Sequence, residues 1–69
     1  MAYVAHLTDP TYGGVYEVAE TKEEAVNKAW KRFALNWYAN PSDFSGEIRG
    51  DKIYDEKLGM IGVVREIDF

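Results

Sequence analysis

The side chains of this 69-residue chain that are able to do chemistry are few and poorly grouped. His6 is the single histidine and cysteine is absent, so a Cys–His pair is impossible and a Ser-His-Asp triad would have to rest on one strand residue. A half-exposed packing role is the expectation for it. Asp43, Glu47, Asp51 and Asp55 recur every four residues, a spacing that invites metal binding or paired-carboxylate chemistry. Four-residue spacing aligns side chains only on a helix, however, and this stretch is broken by Pro41, Gly46 and Gly50. The D-x-D-x-D-G pattern of a calcium loop is missing as well. Gly13-Gly14 and the Gly59–Gly62 run do not lead from a strand into a helix and lack the lysine and hydroxyl of a phosphate loop. Arg49-Gly50-Asp51 spells an adhesion tripeptide, but three residues recur by chance. Lys28, Lys31 and Arg32 with Tyr38 offer charge and a stacking ring to a nucleic acid, and a solvated helix face explains them equally well. No catalytic, cofactor-binding or metal site is expected.

The element that must position all of these is the stretch Thr21–Ala39, TKEEAVNKAWKRFALNWYA. Thr21 followed three residues later by Glu24 is a capping-box pattern. Val26, Trp30, Phe33 and Trp37 fall at spacings of four, three and four, which at about 100° per residue makes one stripe, flanked by Ala25, Ala29 and Ala34. That stripe is the expected core face. Glu23 and Glu24 precede Lys28, Lys31 and Arg32 in the order the helix dipole favours, and Asn40-Pro41 ends the run. Leu35 lies about 180° from Val26 on the wheel and Tyr38 about 120° from it, so both point away from the core among polar neighbours.

Strands are expected at Ala2–Leu7 and Val15–Ala19, joined by the turn residues Thr8–Gly14. In the second strand Tyr16 and Val18 share a face, taken as the inner one, with Glu17 outward. In the first, Val4 competes with Tyr3, Ala5 and Leu7. After the helix Asn40–Gly46 reads as a loop with Phe44 tucked back to the core. Glu47–Tyr54 reads as a short strand interrupted by Gly50, and Met60–Phe69 as a strand with Ile61, Val63, Ile67 and Phe69 on one face. The expected fold is a single α+β domain over 1–69. It is a small antiparallel sheet of three to four strands with one helix on one face, in the order β-β-α-(β)-β.

A chain this short buries only about 60% of the surface its unfolded form exposes, which leaves little core for a deep pocket. No run approaches the roughly 18 apolar residues of a membrane span and no secretory signal pattern opens the chain, so a cytoplasmic location is expected. The net charge of −4 comes from 12 acidic and 8 basic residues. Such a balance weighs against general phosphate-backbone binding and suits a basic protein partner, such as one that handles nucleic acid.

The layout of an opening hairpin TDPTYGGVYEVAE, a capped helix TKEEAVNKAW and a closing strand VVREIDF resembles small phage-encoded orphan proteins, among them acidic anti-CRISPR and accessory proteins. The resemblance implies an inhibitor or accessory factor that occupies a surface of a larger protein. The surface expected to do so combines Leu35, Tyr38 and Lys31 on the helix with Asp43, Glu47, Asp51, Asp55 and Glu56 as an acidic flank that steers association. The alternative is self-association into a homodimer through a strand edge or the helix face. A small nucleic-acid-binding domain stands third.

Overall fold

A computed structural model of the chain describes residues 2–9, 13–35 and 43–67. Five strands and one helix follow in the order β1 (Ala2–Asp9), β2 (Gly13–Ala19), α1 (Lys22–Ala34), β3 (Glu47–Arg49), β4 (Lys52–Asp55) and β5 (Gly59–Ile67). The strands form one antiparallel sheet in the spatial order β2-β1-β5-β4-β3. The fold is thus a small α+β domain with a single helix against a sheet, and the last strand enters the middle of the sheet between the two hairpins.

The helix starts as the capping signal requires. Thr21 is extended, and its Oγ1 accepts a hydrogen bond from the Glu24 amide at 3.2 Å, which satisfies one of the donors a helix start leaves open. Ala25, Val26, Ala29, Trp30, Phe33 and Ala34 are all buried. The alanines bring the helix axis close to β1 and β2, where Ala5 and Ala19 are the facing small residues. The Trp30 ring then reaches past them to meet Phe33 and Phe44, each with centroids 5.7 Å away. Phe44 is held there by its own amide, which donates to Asn27 Oδ1 at 2.9 Å. The described helix ends at Ala34 with Leu35 as its C-cap. Trp37, expected in the core stripe, lies outside the described residues, as does the expected stop at Asn40-Pro41.

The sheet departs from expectation in three ways. It has five strands rather than three or four, because Glu47–Tyr54 is not one interrupted strand. Gly50 adopts φ +62 at the first central position of a two-residue turn, the backbone that a tight hairpin of this kind needs and that glycine takes without strain. The chain therefore reverses at Gly50-Asp51 and Arg49 pairs with Lys52.

The second departure concerns β2. Val15, Glu17 and Ala19 face the helix, while Tyr16 and Val18 are 61% and 43% exposed on the opposite face. Alternation fixes which residues share a face but not which face is inner. Two features decide it. Ala19 gives the helix room to approach, and the Glu17 carboxylate pairs with Arg32 on the helix at 2.5 Å.

The third lies in β5, where Ile53 pairs with Gly62 but Tyr54 pairs with Met60, so Ile61 is an extra, bulged residue. The bulge breaks the expected alternation. Ile61 is buried in the core with Val64, whereas Val63 and Ile67 share the face of His6 and Ala2.

Candidate functional site

Cross-strand partners in an antiparallel pair share a face, so the registers build the helix-free surface row by row. One row runs across the whole sheet as Tyr16, His6, Val63, Lys52 and Arg49. A second contains Val18, Val4 and Arg65, and a third Met60, Tyr54 and Glu47. The face is therefore graded. Its β2-β1-β5 side is aromatic and aliphatic, and its β5-β4-β3 side is cationic.

The His6 imidazole stacks on Tyr16 with ring centroids 4.0 Å apart and planes 5° from parallel, worth about 0.5–1.5 kcal/mol beyond area burial. Gly14 is what gives the His6 ring its place, since a Cβ there would lie 2.6 Å from His6 Nε2. At the other edge the Arg49 guanidinium sits 4.7 Å from the centre of the Tyr54 ring and is hydrogen-bonded to Glu47 at 2.9 Å. That hydrogen bond and the carboxylate's charge raise the Arg49 pKa above its ordinary value. Among the described strand residues that pair across this face, Arg49, Lys52 and Arg65 outnumber Glu47, on a chain whose net charge is −4.

The helix cations are engaged elsewhere. Lys28 Nζ and Arg32 Nη1 lie 3.5 and 3.4 Å from the carbonyls of Val18 and Tyr16, so the helix lays its basic side chains along edge strand β2. Lys31 pairs with Asp43 at 3.0 Å. Lys22 donates to the carbonyl of Gly50 at 3.0 Å and ties the helix start to the β3-β4 turn. These contacts hold the helix to the sheet and leave the cluster Lys28, Lys31 and Arg32 less free for a phosphate backbone than its sequence suggests.

Of the acids singled out in the sequence, Glu47, Asp55 and Glu56 line one hollow, while Asp43 and Asp51 are placed apart from it. Asp43 is taken by Lys31 and Glu47 by Arg49. Asp55 Oδ2 accepts from the amides of Lys57 and Leu58 at 3.0 and 3.1 Å, shaping the turn into β5. Asp51 stands in the β3-β4 turn, at the opposite end of that hairpin from Glu47. Glu56, exposed, joins Glu47 and Asp55 in lining a shallow hollow of about 350 Å³ with Ser45, Arg49 and Tyr54. Leu35 is 62% exposed at the helix C-cap. Tyr38 lies outside the described residues.

The helix-free face is hidden in the sequence because β2 and β5 carry apolar side chains on both faces, so that alternation alone places Tyr16 and Val18 on the inner side. The available signal was the pairing of Arg32 with a carboxylate on the neighbouring strand, which turns Glu17 toward the helix and Tyr16 away from it. No helix among the described residues is long and apolar enough to cross a membrane, and no group of three or more acidic or histidine side chains among them is placed to hold a metal ion. Comparison with protein-family models, with curated proteins and with solved structures finds no match.

Proposed function

We propose that this chain is a non-enzymatic binding module that docks through the helix-free face of its sheet onto a larger protein, as an inhibitor or accessory factor of the phage kind would. The observation that carries the reading is the exposure of Tyr16, Val18 and Met60 at 61%, 43% and 55% on one graded face, beside Arg49, Lys52 and Arg65. Large apolar side chains at the centre of a contact with charge at its rim are the anatomy of a protein interface. The positive rim selects the partner's chemistry, an acidic surface around an apolar centre, rather than the basic surface expected from the net charge. Action in the cytoplasm is part of the same proposal.

Self-association has less in its favour. Two copies of the graded face would set the cations of each against either the cations or the apolar strands of the other, and the β2 edge already carries Lys28 and Arg32, a usual way of blunting an edge strand. The reading is tested by affinity capture from a bacterial lysate with the wild type, Val18→Glu and Leu35→Glu, each checked for native circular dichroism. A stoichiometric partner lost with Val18→Glu and kept with Leu35→Glu is the expected result. The reverse pattern would move the contact to the helix end.

A further inference from the structure

Three strands of the helix-free face, β2, β1 and β5, form an apolar lane. Tyr16 and Val18 line it on β2, Val4 and His6 on β1, and Val63 and Ile67 on β5. Three strands at about 4.8 Å spacing span roughly 10 Å between the outer two, close to the 10–12 Å diameter of a helix with its side chains. The lane positions run from Ala2 to His6 on β1 and from Val63 to Ile67 on β5, about 17 Å at roughly 3.4 Å per residue, so an 18-residue helix, about 27 Å at 1.5 Å rise, covers the lane with a turn or two to spare at its ends.

The same three strands already seat a helix on their other side, where α1 packs on β1 and β2 and touches β5. The two long borders of the lane differ. On the β2 side the sheet ends, and the helix cations Lys28 and Arg32 there are turned to the strand's own carbonyls, whereas on the β4 side Lys52 and Arg49 stand on the helix-free face itself, with Arg65 inside the border on β5.

From this geometry we infer that the occupant of the face is an amphipathic helix of the partner, apolar toward the lane and acidic along the one flank that lies over Arg65, Lys52 and Arg49. The inference rests on the docking reading above and adds its shape and charge register. An apolar stripe in the lane supplies most of the contact, because exposed Tyr16 and Val18 are covered when it binds. The carboxylates on one flank fix its orientation, because the opposite orientation would lift them away from Arg65 and Lys52 and toward Lys28 and Arg32, which are already hydrogen-bonded to the β2 carbonyls. A basic flank would meet Arg65 and Lys52, while Arg49 is bonded to Glu47 and has Asp55 and Glu56 in the hollow beside it.

The test uses two helical peptides of about 18 residues that share one Leu and Phe stripe, with Glu along a flank in the first and Lys in the second. Each is titrated at low salt against the full chain, read by the anisotropy of a dye on the peptide. The Glu-flanked peptide is expected to bind at least about tenfold more tightly, about 1.4 kcal/mol. The double variant Lys52→Glu, Arg65→Glu is expected to invert that order, and Lys52→Gln, Arg65→Gln to level it, which keeps the test informative should the charge reversal disturb folding.

Equal affinity for the two peptides in the wild type would overturn the inference. So would binding of neither, whether oligothymidylate binds the face instead or sedimentation shows the chain pairing with itself. A lysate partner lost with Val18→Glu while neither peptide binds would leave the docking surface standing and remove the helix from it. A partner kept by Val18→Glu would remove the surface itself.

Discussion

At the scale of single residues, the fold depends on places where a side chain cannot be added. A Cβ at Gly62 would lie 2.0 Å from the carbonyl oxygen of His6 and 2.8 Å from Leu7 Cδ2. The backbone of β5 is thus pressed against β1 beside the bulge, the nearer obstacle being backbone and the Leu7 side chain being fully buried. Gly62→Ala is expected to cost about 1–3 kcal/mol by forcing these strands apart, read as a lower urea midpoint. Wild-type stability in that variant would mean that the strands are not so closely set. The carboxylates illustrate the opposite case. Asp43, Glu47, Asp51 and Asp55 look like a set in the sequence, yet two are ion-paired to different elements and one shapes a turn. Exposed pairs of that kind contribute about 0–1 kcal/mol each, so they organise the surface more than they stabilise it.

At the scale of elements, the helix was the most legible part and the sheet the least. Thr21, Glu24 and the stripe Val26, Trp30, Phe33 specify start and inner face through interactions within a few residues of one another. Thr21→Ala should therefore cost about 1 kcal/mol, lowering the melting temperature by roughly 4–8 °C in a domain of this size. A change under a degree would show that the cap is replaced by another donor. The strands carry their information at longer range. Whether Tyr16 or Glu17 faces inward is settled by Arg32, fifteen residues away, and the extra residue Ile61 by how β5 meets β4. The turn at Gly50-Asp51 was visible as a glycine but read as a flaw in one strand, because three- and four-residue strands lie at the short limit of what alternation can reveal. The face proposed for docking was lost with the orientation of β2, and its cationic border with the misread hairpin.

At the scale of the molecule, one helix against five strands covers a single face of the sheet. Among the described residues the other face, with Tyr16, Val18 and Met60 exposed on it, is left to solvent or to a partner, and it separates apolar strands from cationic ones on an otherwise acidic chain. Net charge alone pointed to a basic partner; the distribution of charge over the sheet points to an acidic one. The measurement that tests this most directly is oxidative footprinting by hydroxyl radicals of the free chain and of its captured complex. Met60 and Tyr16 are exposed and readily oxidised side chains on the face in question, and Leu35, 62% exposed at the helix end, is the internal control. The account predicts that Met60 and Tyr16 are protected several-fold in the complex while Leu35 reacts as before. Protection of Leu35 with Met60 and Tyr16 unchanged would contradict it and return the contact to the helix.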